Sequence, residues 1–195
     1  MPELPEITLY RDYLNATSLN KQITSINFLH SGALQAPQEE FSKALKGNKF
    51  RKSHRLGKYL IIETTGEKSL VMHFGMTGKL EYYKNQDPPK YSRVIFSFDD
   101  DDHLAFICRR KLGKLFLAEG PNDFRETQDL GRDALELSET EFIELLEGKT
   151  GSIKGVLTDQ HVLAGIGNVY SDEMLYQCEI HPKTKTSALD DKKKK

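Results

Sequence analysis

The chain has 195 residues, a formal net charge of −1, 29% charged residues and a mean hydropathy of −0.57. That length suits one large domain or two small ones with a proper core, and the composition points to a soluble protein: no apolar run approaches membrane-spanning length, and the amino terminus lacks a signal peptide's basic-then-apolar layout. Two cysteines, Cys108 and Cys178, neither in a CxxC, give no disulfide framework and too few thiolates for a four-ligand metal site, so they read as reduced core thiols of a cytoplasmic protein.

Met1-Pro2-Glu3-Leu4-Pro5-Glu6 leads into Ile7, Tyr10, Tyr13 and Leu14 at helical spacing. Pro5 suits a first helical turn, where no amide partner is lost, and Glu6 suits the positive end of the helix dipole. Gln22 to Leu29 alternates apolar and polar residues as a half-buried strand does. Phe41, Ala44 and Leu45 suggest a short helical turn ending at Gly47, and Phe50–Ser53 and Tyr59–Glu63 read as strands. Ser69–His73 and Lys79–Tyr83 read as a further pair joined by the Gly75–Gly78 loop. Arg93–Phe98 and His103–Cys108 flank a turn at Asp99–Asp102, and Lys114–Leu117 is a last strand. Many short strands between turn residues favour an antiparallel sandwich or barrel.

The pattern changes after about residue 120. Pro121-Asn122-Asp123 reads as a linker. Ser138 with Glu141 forms a capping-box pattern ahead of a Phe142, Leu145, Leu146 stripe, and Ile153–Leu157 and Val169–Gln177 also read as helical. The expected fold class is α+β: an antiparallel β-sandwich with an amino-terminal helix over 1–120, then a helical domain over 121–195. The tail from Asp190 to Lys195 reads as a solvated end, a remnant of expression or the start of a helix that is cut off.

Charge is segregated. Lys43, Lys46, Lys49, Arg51, Lys52, Arg55 and Lys58 form a run without an acid, and Arg109, Arg110, Lys111 and Lys114 form a second cluster. Acids gather at Asp99–Asp102 and between Asp133 and Glu147. Each basic cluster alone could be an ordinary solvated face; together they suit a one-sided phosphate-binding surface.

The amino terminus admits two readings. One is simply a well-capped helix. In the other, Met1 is removed and Pro2 becomes a secondary amine; an α-amino group titrates at about 8, so much of it is uncharged near neutrality and can attack carbon. Amine nucleophiles act by forming Schiff bases, and Glu3 would sit beside Pro2 as proton donor and acceptor.

Met1-Pro2-Glu3-Leu4-Pro5-Glu6, Leu56-Gly57-Lys58-Tyr59-Leu60, His73-Phe74-Gly75-Met76-Thr77-Gly78 and the run from Asp159 to Tyr170 occur in order along almost the whole chain. In this they resemble the formamidopyrimidine-DNA glycosylase (Fpg/Nei) family, in its Fpg-like branch. The resemblance implies a β-sandwich followed by a helix–two-turn–helix domain, with DNA in the cleft between them. It implies Pro2 as the nucleophile, Glu3 assisting protonation at the sugar, Glu6 supporting the amino-terminal geometry, and Lys58 as a phosphate contact at the damaged nucleotide. A lone lysine at a strand mouth is otherwise usually exposed to solvent.

Gly75-Met76-Thr77-Gly78 carries one large flexible side chain, which ordinarily folds back onto its sheet. The resemblance instead places Met76 in the space left by an extruded base. Phe106-Ile107-Cys108-Arg109-Arg110-Lys111-Leu112-Gly113 aligns with a family pattern Phe-x-Asp-Pro-Arg-Arg-Phe-Gly. Arg110 falls on the arginine facing the orphaned base. Leu112 replaces the phenylalanine wedge and Cys108-Arg109 replace a stiffening Asp-Pro, which bears on opposite-base preference and efficiency.

Gly165 and Gly167 allow a turn directly before a helix, where backbone amides bind anions and the Asn168 side chain adds a donor. A plain glycine turn with an asparagine cap would look the same; the resemblance makes Asn168 a DNA-backbone ligand, with Lys154 and Glu173 as further candidates near the everted nucleotide or as structural surface charges. Family members continue into a zinc finger or a zincless equivalent. Here the expectation is no bound zinc and no cofactor, in a piece of a longer protein or in a protein lacking that third DNA contact, with weaker DNA affinity.

The expected function is base-excision repair: a bifunctional glycosylase/AP lyase that removes oxidised purines from double-stranded DNA and also acts at abasic sites. It would work as a monomer in the cytoplasm, on the nucleoid, without a membrane partner. The rivals are a protein that binds damaged or abasic DNA with little or no catalysis, and a β/helical interaction domain that does not bind DNA.

Overall fold

The computed structural model describes residues 1–189, so the reading of the 190–195 tail lies outside the described residues. The chain divides into two compact units, Met1–Phe124 and Arg125–Lys195.

In the first unit, α1 (Leu4–Thr17), β1 (Ile23–Phe28) and α2 (Gln38–Leu45) precede β2 (Phe50–Leu56), β3 (Tyr59–Thr64) and β4 (Ser69–His73). β5 (Gly78–Lys84), β6 (Ser92–Phe98), β7 (Asp102–Cys108) and β8 (Lys114–Ala118) follow. The strands form two four-stranded antiparallel sheets, ordered β1-β6-β7-β5 and β2-β3-β4-β8. Alternate side chains of both sheets meet in one core, with Leu60, Leu70 and Leu115 from one and Val94, Leu104 and Phe106 from the other. Ile7 and Leu14 of α1 and Phe41 and Leu45 of α2 join that core. Each such burial stabilises by about 1.5–3 kcal/mol, which docks both helices on the sandwich.

One expected pairing does not occur. β4 and β5 are not partners: β4 lies between β3 and β8, while β5 pairs with β7 in the other sheet. The Phe74–Gly78 segment is thus where the chain crosses between sheets. Both strands bury residues in the same core, so alternation alone cannot tell a hairpin from a crossing. β2 also runs past Ser53 to Leu56, because Arg55 and Leu56 pair with Leu60 and Tyr59 across a tight turn.

Pro121-Asn122-Asp123 is not a linker but the first turn of α3 (Pro121–Thr127). Asp123 accepts the Glu119 amide at 3.1 Å, and Phe124 is buried with ring centroids 5.0 Å from Tyr59 and 5.3 Å from Phe116.

The second unit holds β9 (Arg132–Asp133), α4 (Glu139–Leu146), α5 (Ile153–Thr158), β10 (Leu163–Ala164) and α6 (Asn168–Gln177). Leu146, Ile153, Leu157, Leu163 and Leu175 form its core. The Ser138 capping box holds the start of α4: the Ser138 amide donates to Glu141 Oε2 at 2.9 Å, and the Glu141 amide donates to Ser138 Oγ at 3.3 Å. β9 and β10 pair in parallel, a two-residue contact too short to leave a periodic signal. Cys178 is exposed and so is not a core thiol: it ends α6, and Glu179 turns the chain away with φ +53°.

Candidate nucleic-acid interface and amino-terminal site

Glu3 is the N-cap of α1 and Glu6 its third residue, in a capping box; the Glu3 amide donates to Glu6 Oε2 at 2.8 Å. Pro2 is therefore anchored by the residue that follows it. Pro2 is half-buried, Glu3 is 2% exposed, and Met1 before them is exposed. α1 is fixed in turn to the crossing segment: Tyr10 OH donates to the Gly78 carbonyl at 3.1 Å, and its ring lies 4.4 Å from Phe74.

Lys58 occupies the second position of the two-residue turn between β2 and β3, where Gly57 takes φ +54°. It is not the exposed lysine that its position suggests, being only 6% exposed. Burial pushes its pKa below the usual lysine range, and Glu3 works in the opposite direction. His73, whose ring stacks 5.0 Å from Tyr59, is pushed down by its own burial and by Lys58. A buried ammonium thus stands within electrostatic reach of the Glu3 carboxylate. His73 is the member of this group that spacing did not single out, although it opens the quoted glycine motif.

Met76 is 43% exposed and does not fold back onto the sheet. Arg110 is exposed and Leu112 is 46% exposed on the β7–β8 loop. The structure brings these two loops together: a Cβ on Gly75, which takes φ +59°, would come within 2.6 Å of the Leu112 carbonyl. The Asp-Pro stiffening is replaced by other bonds. Arg93 Nε donates to the Cys108 carbonyl at 2.8 Å, and the Gly113 amide donates to Cys108 Sγ at 3.2 Å.

The basic run does not present one uniform face. Lys43, Lys46, Lys49, Arg51 and Lys52 are not buried, Arg55 is half-buried with its guanidinium donating to the Gly57 carbonyl, and Lys58 is buried. Around the second cluster, slight desolvation and then Lys111, Arg93 and Lys114 push His30 below its usual range, a sign that these cations converge.

In the second unit Asn168 is exposed as the first residue of α6, after Gly165 at φ +115° and the N-cap Gly167. Gln160 shapes this turn: its Nε2 donates to the Thr158 and Ile166 carbonyls at 2.9 and 2.8 Å, and its Oε1 accepts the Gly165 amide at 3.0 Å. Gln160 lies within the run from Asp159 to Tyr170 that carries the resemblance, but its bracing role was not singled out, because residue type alone does not encode bonds to backbone atoms. Lys154 pairs with Asp172 at 2.6 Å, not with Glu173, which accepts from Gln177 at 2.8 Å. Among the described residues no group of three or more His, Cys, Asp or Glu could hold a metal ion, so they do not fit a zinc site.

A two-unit architecture, an antiparallel sandwich opened by a Pro-Glu helix start and a helical unit with a glycine turn before α6, defines the class. Residues 1–115 match the model of the formamidopyrimidine-DNA glycosylase N-terminal domain, and residues 130–195 match that of the formamidopyrimidine-DNA glycosylase H2TH domain. The formamidopyrimidine-DNA glycosylase of Moorella thermoacetica is 34% identical, over 97% of this chain and 71% of that protein. That of Trichormus variabilis is 35% identical over 94% and 70%. A Lactococcus lactis Fpg bound to abasic-site DNA superposes with a TM-score of 0.90 at 29% identity, covering 99% of this chain and 73% of that one. The same holds for a Lactococcus lactis Fpg complex with DNA containing N7-benzyl-Fapy-dG. The chain belongs to the formamidopyrimidine-DNA glycosylase family.

Proposed function

We propose that this chain is a base-excision repair enzyme, a bifunctional DNA glycosylase/AP lyase acting on double-stranded DNA with oxidised purines or abasic sites. The family membership supports this, as do the solved relatives with lesion or abasic DNA. The observation that carries the chemistry is the capped Pro2-Glu3 start beside the buried Lys58.

With Met1 removed, the Pro2 nitrogen attacks C1′ of the lesion nucleotide. The C1′–N bond breaks and the base leaves with its electron pair and a proton. Glu3 protonates the sugar oxygen as the ring opens, leaving an iminium between Pro2 and C1′. Loss of a C2′ proton then expels the 3′ phosphate by β-elimination, and water releases Pro2. Glu6 holds the helix start, and Lys58 meets the phosphate beside the lesion. A desolvated ammonium is stronger against phosphate than an exposed one. Met76 fills the vacated space, Arg110 faces the orphaned base and Leu112 wedges beside it. Asn168 binds the DNA backbone from the start of α6, and Lys154 and Glu173 lie near the everted nucleotide. The steps use no metal or cofactor. We place the activity in the cytoplasm, on the nucleoid, with the protein acting as a monomer; no helix of the described residues is long and apolar enough to cross a membrane.

Borohydride trapping tests this reading. A chain that begins at Pro2 should form a covalent adduct with an abasic or 8-oxoguanine duplex, and Pro2→Gly should reduce it sharply. Salt-dependent binding without an adduct would select the DNA-binding protein with little catalysis instead.

A further inference from the structure

The Met76 loop and the Arg110–Leu112 loop come from distant parts of the chain, yet one hydroxyl ties them. Thr77 Oγ1 accepts the Arg110 amide at 3.1 Å. It also lies 4.0 Å from Cys108 Sγ, the sulfur that accepts the Gly113 amide at 3.2 Å. A hydroxyl has two acceptor lone pairs and one proton, so either atom can donate in the Thr77–Cys108 contact while Oγ1 accepts from Arg110. On the other side, Gly75 lies against the Leu112 carbonyl with no room for a Cβ. The base of the two loops is thus bonded and close-packed, while the Met76 and Leu112 tips stand 43% and 46% exposed.

We propose that Thr77 is a positioning residue that makes the two tips act as one wedge. Insertion of Met76 and placement of Arg110 and Leu112 are then energetically coupled: neither loop can shift without stretching the Thr77–Arg110 bond or opening the Gly75–Leu112 contact. The consequence for recognition is that lesion eversion and reading of the orphaned base occur as one event. The inference rests on the reading that these tips enter lesion DNA, and its test separates the two.

The first arm uses the free protein. Thr77→Val keeps the shape and removes the acceptor, and Thr77→Ser keeps the acceptor. By amide hydrogen exchange, Arg110 should exchange about five- to tenfold faster in Thr77→Val and at the unaltered rate in Thr77→Ser. An unchanged rate in Thr77→Val overturns the brace.

The second arm is a double-mutant cycle of Met76→Ala and Leu112→Ala, read as the rate of borohydride-trapped adduct on an 8-oxoguanine duplex. With Thr77 intact, and equally in the Thr77→Ser background, the combined effect should depart from the product of the single effects by about threefold or more. In the Thr77→Val background, where only the Gly75–Leu112 contact still ties the loops, the departure should shrink toward the product of the single effects. Multiplicative effects with Thr77 intact, or coupling undiminished by Thr77→Val, overturn the proposal. Absence of any adduct in every background overturns the glycosylase reading, and amide exchange then decides the brace alone.

Discussion

The amide of Glu3 donates to the carboxylate of Glu6 at 2.8 Å, so the residue after the candidate nucleophile is held by the first turn of α1. Glu6→Ala removes that acceptor. Loss of a cap costs about 0.5–2 kcal/mol, and fraying of the first turn should slow adduct formation at Pro2 more than it weakens DNA binding. Thermal unfolding and a comparison of trapping rate with affinity check this; equal losses in both would remove the positioning role.

His73 predicts an acid-side loss of stability. Burial and Lys58 hold its folded pKa below 6.5, so between that folded value and 6.5 the unfolded chain binds more protons than the native one. Stability is therefore full above about 6.5 and falls as pH drops through the folded pKa. His73→Gln should flatten this part of the stability–pH curve, measured by urea unfolding between pH 5 and pH 7 (about the range in which histidine titrates). An unaltered slope would contradict the assignment.

Gly75→Ala should damage the lesion-facing loops. A left-handed conformation costs a non-glycine residue about 1–3 kcal/mol, and the added Cβ would meet the Leu112 carbonyl at 2.6 Å. Affinity for lesion duplex should fall more than affinity for undamaged duplex. A proportional fall in both would mean that the loops do not read the lesion.

In the second unit, Gln160→Leu strands the Gly165 amide and two carbonyls at a cost of about 1–3 kcal/mol. DNA affinity should fall with no change in its salt dependence, as it should for the uncharged Asn168→Ala. Lys154→Ala should instead reduce the salt slope by about 0.9, the value for one phosphate. Affinity measured across a salt series distinguishes these cases.

The strand and helix positions were largely legible, because Ile7 and Leu14, or Val94 and Phe96, repeat at the period of their element. The pairing of those strands was not: β4 and β5 are adjacent in sequence and bury residues in one core, so the crossing between sheets leaves no local trace. At the site, the glycine motifs located the loops, but residue type alone missed what lies beneath them. Lys58 is buried although it sits in a two-residue turn, and Gln160 acts through bonds to backbone atoms that no spacing encodes. Cys108 looked like a lost Asp-Pro, yet its sulfur takes an amide of the same loop.

The identity of the nucleophile is the most direct test. A chain confirmed by mass to begin at Pro2 is reduced with borohydride on an abasic duplex, digested, and its peptides are mapped. The added sugar mass should lie on the nitrogen of residue 2. An adduct on Lys58 or another lysine, or no adduct at all, would contradict the assignment of Pro2.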